Sequence, residues 1–107
     1  MIYQIQVTNY AESDLRNIYE FIAFTLLEPV TAAEQLIRIE KAILSLDELP
    51  ERFRLVGYEP WYSRGIRQMP VDNFIAFYLI NTDEKIVTII RVMCGGRDIN
   101  KQLNLID

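Results

Sequence analysis

The side chains able to do polar chemistry are few, and they gather in the C-terminal half. The 107 residues include no histidine and a single cysteine, Cys94. Imidazole acid/base chemistry, an internal disulfide and a structural zinc cluster are therefore excluded. Among the arginines of that half, those at 64, 67, 91 and 97 are the candidates, with the hydroxyl of Tyr78 and the carboxylate of Asp98. Arg97 and Asp98 fit an anion-binding constellation, or equally an ion pair holding the end of the chain on its neighbours. Arg64 and Arg67 flank the start of a strand, where they either reach a shared face or are simply solvated. Tyr78 ends an apolar run, which suits core packing with a satisfied hydroxyl as well as chemistry. Cys94 lies on an apolar strand face with no partner to stabilise a thiolate, so it reads as a small buried hydrophobe. Trp61 and Tyr62, beside Glu59 and Arg64, either anchor a partner or close the edge of a core. Gly95 and Gly96 supply backbone freedom for a turn.

These residues need a scaffold, and the composition bounds it. Half of the residues are apolar, enough for one compact domain over 1–107 with one core. No stretch approaches the roughly 20 apolar residues of a membrane span, and the N-terminus lacks the pattern of a signal peptide, so a soluble cytoplasmic protein is expected. The net charge of −4 is unfavourable for neutralising a nucleic-acid backbone. It is uneven, however: residues 1–51 carry nine acids and three bases, whereas residues 52–107 carry six acids and eight bases. Any anion-binding surface belongs to the second half.

Alternation of apolar and polar residues over 2–8 predicts a first strand. Asn9 with Glu12 has capping-box spacing, and Ala11, Leu15, Ile18, Tyr19, Ile22 and Leu26 then form one helical face. Pro29 interrupts the pattern. Thr31 with Glu34 repeats the cap, and Ala33, Leu36, Ile37, Ile39, Ile43, Leu44 and Leu46 make a broad stripe on a second helix. The short connection implies an antiparallel hairpin. Glu51–Arg64 has no period and reads as a long ordered loop. Strands follow over 65–71, 74–80 and 86–94, joined by turn chemistry at Asp72-Asn73 and Asn81–Glu84, as an antiparallel meander. The last strand alternates, with Ile86, Thr88, Ile90, Val92 and Cys94 on one face and Val87, Ile89, Arg91 and Met93 on the other. The expected fold is α+β, β-α-α-β-β-β, with the helical hairpin on one face of a small, mainly antiparallel sheet and the other face partly open.

Four stretches, in this order, resemble the RelE/ParE toxin superfamily over nearly the whole chain. They are Ala11 to Ile22, Leu46-Asp-Glu-Leu-Pro-Glu-Arg-Phe-Arg54, Arg67-Gln-Met-Pro-Val-Asp-Asn-Phe-Ile-Ala-Phe-Tyr78, and Ile89 to Asp98 with its Cys-Gly-Gly-Arg-Asp exit. The resemblance implies the toxin of a type II toxin–antitoxin system of the plasmid-stabilisation type. Such a toxin inhibits growth by acting on DNA gyrase, in the ParE branch, or on the translating ribosome and its mRNA, in the RelE branch. A cognate antitoxin neutralises it, and a homodimer is compatible with the fold. No cofactor or metal is implied.

Arg97 matches the family's C-terminal arginine through its Gly-x-Arg-acid setting. A ribosome-dependent endoribonuclease would use Arg97 and Arg67 at the phosphate and Tyr78 as proton donor, since RNA cleavage needs charge beside the phosphate and a donor for the leaving oxygen. Three positions depart from that branch. Ile75 stands where it has a strand arginine, Leu103 where it has a tyrosine, and Cys94 where histidine or tyrosine is common. The chain therefore leans towards the ParE branch. Arg64, Trp61, Tyr62, Arg91 and Asp98 are the residues expected to meet target or antitoxin. A third reading keeps the fold as a non-toxic antitoxin-binding module. The acidic helices would suit a relatively basic antitoxin segment.

Overall fold

The computed structural model describes residues 2–95. A strand β1 (Gln4–Val7) leads into helix α1 (Asn9–Glu20), which continues as a π-helical segment, Phe21–Thr25. Helix α2 (Pro29–Leu44) returns antiparallel and ends in a 3-10 turn, Ser45–Asp47. After a second such turn at Pro50–Arg52, strands β2 (Arg67–Val71), β3 (Phe74–Asn81) and β4 (Ile86–Cys94) complete the sheet. Its order is β1-β4-β3-β2, with β1 parallel to β4 and the other pairs antiparallel. The expected α+β architecture is present, with two helices on one face of a four-stranded mixed sheet.

Local chemistry moves several boundaries. The α1 cap is Thr8, not Asn9: its Oγ1 accepts the Ala11 amide at 3.1 Å while its hydroxyl donates to the Ile90 carbonyl at 2.7 Å. Helix α2 begins at Pro29 itself, because proline at the first turn gives up an amide that has no helical acceptor. Thr31 therefore lies inside the helix. The second strand starts at Arg67 rather than Gly65, whose positive φ of 78° belongs to the preceding turn.

The core has two compartments. Against the helices lie Ile39, Ile43, Leu46, Met69, Ala76, Tyr78, Val87, Ile89 and Val92. On the other sheet face Phe77 and Met93 meet Val56, Trp61 and Ile66 from the long loop. That face is thus partly covered by the loop, and β3 is buried on both sides. The broad stripe expected on α2 divides: Ile39, Ile43 and Leu46 are buried, whereas Ala33 is exposed and Ile37 and Leu44 are 49% and 62% exposed. Outside that stripe, Ala32 and Gln35 are buried and Val30 is 70% exposed.

The alternation expected along β4 fails at one point. Phe77 pairs with Arg91 and Tyr78 with Ile89, so Ile90 is an extra residue in a β-bulge. Past it the faces exchange: Val92 joins Val87 and Ile89 beneath the helices, and Met93 turns to the opposite face. Cys94 is exposed, not a buried hydrophobe.

The bulge is held by α1. Asp14 accepts two hydrogen bonds from the Arg91 guanidinium, at 2.7 and 2.9 Å, and a third from the Val92 amide at 2.9 Å. Both side chains are largely buried, at 12% and 16% exposure. The hydrogen bond that Arg91 donates to Asp14 raises the pKa of Arg91 against the opposing effect of burial. At the other end of the sheet, Arg38 and Gln35 of α2 bind the carboxylate of Asp72 in the β2–β3 turn, at 2.7 and 2.9 Å, and hold it below the usual carboxylate range. Removing Asp14 leaves a buried guanidinium and an amide without their acceptor. Asp14→Ala is expected to cost about 3 kcal/mol in urea denaturation, the low end for breaking a buried pair because neither partner is wholly sealed. Adding Arg91→Met should recover part of that loss.

Candidate binding site

The long loop reaches the sheet at its β2 edge, and two side chains fix it there. Arg67 on β2 is the register partner of Tyr78 on β3. The Tyr78 hydroxyl donates to the Pro50 carbonyl at 2.6 Å, and the Arg67 guanidinium donates to the Phe53 and Glu51 carbonyls at 2.7 and 3.2 Å. The chain then runs along β2: the Val56 amide donates to the Ile66 carbonyl and the Gln68 amide to the Arg54 carbonyl. Arg52 grips the end of α2, donating to the carbonyls of Glu48 and Ser45 and to Ser45 Oγ, with its guanidinium 4.9 Å above the Phe53 ring.

An open groove of about 440 Å³ lies between this segment and the sheet, lined by Arg52, Phe53, Arg54, Gln68, Pro70 and Ile75. Its floor is apolar and its rim basic. The side chain of Arg54 is exposed and has no hydrogen-bond or ion-pair partner among the described residues. Ile75 is part of the lining. No group of acids and cysteine that could hold a metal is found among the described residues.

The residues singled out from the sequence are distributed among several places. Arg67 and Tyr78 come together, and both are occupied with main-chain carbonyls. Tyr78 is wholly buried; burial raises its hydroxyl to about 12, against a smaller opposing pull from Arg67 and Arg52. Trp61 is 2% exposed and seals the second core, with Arg64 stacked 5.2 Å from its ring. Tyr62 beside it is half exposed. Glu59 holds this turn through the hydroxyl and amide of Ser63, hydrogen bonds that lower its pKa. Arg91 is spent on Asp14, away from the groove. Arg97, Asp98 and Leu103 lie outside the described residues. Sequence reasoning passed over Arg52, Arg54 and Gln68, although the first two stand in the Pro-Glu-Arg-Phe-Arg stretch that carried the resemblance.

Known proteins share this fold. The family model described as the ParE toxin of the type II toxin–antitoxin system parDE matches residues 5–99. The chain belongs to that ParE toxin family. Among solved structures it is similar to a chromosomal ParDE toxin–antitoxin system from P. aeruginosa, at 21% identity and a TM-score of 0.71, covering 87% of this chain and 96% of that one. The RelBE2 toxin–antitoxin complex of Mycobacterium tuberculosis matches at 21% identity and 0.62, covering 88% and 99%. A mutant of the E. coli toxin RelE in the free state matches at 13% identity and 0.66, covering 95% and 93%. At such identities these likenesses establish the RelE/ParE fold. No curated relative shows significant sequence similarity.

The Tyr78 hydroxyl yields a titration with a definite sign. Its folded pKa lies above the unfolded value near 10, so its contribution is complete below pH 10 and is lost as pH rises towards 12. Absorbance titration of tyrosinate should show one of the six tyrosines ionising near 12, and that step should vanish in Tyr78→Phe. The same substitution leaves the Pro50 carbonyl without its donor and should cost about 1–2 kcal/mol.

Proposed function

We propose that this chain is the toxin of a type II toxin–antitoxin pair of the plasmid-stabilisation type, and that it arrests growth by binding its target rather than by cleaving RNA. The observation that carries this reading is the use of Tyr78 and Arg67. A ribonuclease would need the first as a proton donor and the second at the phosphate, yet both are bound to carbonyls of the Pro50–Phe53 segment. A hydroxyl with a pKa near 12, buried from water, is poorly matched to acid catalysis at neutral pH. The groove instead offers an apolar floor with arginines at its rim, a surface suited to recognition. DNA gyrase is the target favoured by membership of the ParE branch.

The antitoxin is assigned to a different surface. Val30, Ile37 and Leu44 recur every seven residues along α2, close to two helical turns, and so form one exposed stripe. Glu34 and Glu40 are exposed on the same helix, balanced by the exposed Arg38 and Lys41. An amphipathic antitoxin helix with apolar residues at matching spacing would cover this stripe.

Inducible expression of the chain alone, with DNA-damage and mRNA-cleavage readouts in parallel, tests the target. Growth should stop with the damage response raised and no new mRNA ends. Unimpeded growth, or new mRNA ends on translating ribosomes, would reject the reading. For the second surface, Ile37→Asp should weaken binding of the cognate antitoxin by about a hundredfold in titration calorimetry, the loss expected of a central apolar anchor. Unchanged affinity would move the antitoxin elsewhere.

A further inference from the structure

The groove at the β2 edge makes three separate demands on a ligand. First, Arg54 is an unspent cation. Its carbonyl is pinned by the Gln68 amide, so its backbone is fixed while its guanidinium faces solvent without a partner among the described residues. Second, the edge beyond it has acceptors and no donor. The Ile66 carbonyl and the Gln68 amide point away from β3, and alternation aims the nitrogen of Pro70 the same way. Proline carries no N–H, so the exposed edge there offers carbonyl oxygen alone. Third, Phe53, Pro70 and Ile75 give the groove an apolar floor.

A matching ligand brings a carboxylate for Arg54, amide N–H groups for the edge and an apolar side chain for the floor. An extended peptide with acidic residues beside a large apolar one supplies all three within a short stretch. Single-stranded RNA fits less well. One face of the Phe53 ring is already covered by Arg52, which removes that face as a stacking platform for a base. The geometry points to an extended acidic-hydrophobic segment of a protein partner as the ligand of this groove, an inference that rests on the groove being the target-facing surface. Arg54 supplies its charge selectivity and Ile75 with Pro70 its apolar contact.

The test is fluorescence anisotropy on the full chain at low ionic strength. The probe is a labelled peptide, Asp-Glu-Leu-Trp-Asp-Glu, compared with the same peptide carrying Asn and Gln for its acids and with hexauridylate. The acidic peptide should bind at least about tenfold more tightly than either comparator, a factor equivalent to about 1.4 kcal/mol. Arg54→Glu should abolish that binding and confer binding of a peptide with Lys in place of the acids, with an unchanged melting temperature showing that the fold is intact. Equal binding of acidic and neutral peptides, tighter binding of hexauridylate, or an Arg54→Glu chain that keeps the acidic peptide would overturn the inference. Arg54-dependent peptide binding by a chain that proves harmless in cells would sink the toxin reading and leave the groove's specificity standing. A toxic chain that ignores the acidic peptide would do the reverse.

Discussion

Two carbonyl oxygens, those of Pro50 and Phe53, determine how the second half of this protein sits on the first. They leave the end of the helical hairpin facing a sheet edge, and each would be costly to shield from water without a donor, by about 1–3 kcal/mol. Tyr78 and Arg67 provide the donors from register-paired positions on adjacent strands. Because these two residues are paired across the ladder, the β2–β3 register fixes both hydrogen bonds together, and a slip of one residue would lose both. Everything past Phe53 inherits that anchor. The Arg54–Val56 segment lies along β2, Trp61 reaches the far face of the sheet, and the groove opens between them.

The same constraint explains which residues are available for function. Polar side chains that look chemically promising in the sequence are largely consumed in joining elements: Arg91 holds the bulge through Asp14, and Arg67 and Tyr78 hold the loop, just as Arg52 holds the end of α2. What remains exposed includes the apolar stripe of α2, on a helix whose two acids are balanced by two bases, and the basic rim around Arg54. The two differ in both shape and charge. A protein built this way can present one surface to an antitoxin and another to a target, so that neutralisation need not mimic the target.

Much of the fold was legible because its signals are local. Period-2 and period-3.6 patterns located β1, both helices and the meander, and Pro29 marked the hairpin turn. The misreadings arose where a distant partner decided the outcome. Nothing near Ile90 announces a bulge, since its cause includes Asp14, far away in sequence, binding Arg91 and the Val92 amide. The strict alternation of β4 and the burial of Cys94 failed together for that reason. Likewise the apolar residues of α2 are alike in the sequence, and the sheet alone decides that Ile39 and Ile43 are buried while Ile37 and Leu44 stay exposed. For the site, residue type signalled an anion-binding half of the chain but not which arginines remain unspent. Arg54 stands out after the partners of Arg52, Arg67 and Arg91 have been assigned.

The proposed toxicity depends on the groove as the surface that meets the target. Its most direct test is the growth of cells after induction of Arg54→Glu beside the wild-type chain at matched soluble levels. The side chain of Arg54 is exposed and has no hydrogen-bond or ion-pair partner among the described residues, so the variant should fold normally and yet permit growth under conditions where the wild type arrests it. Arrest of equal depth by both chains would contradict the account.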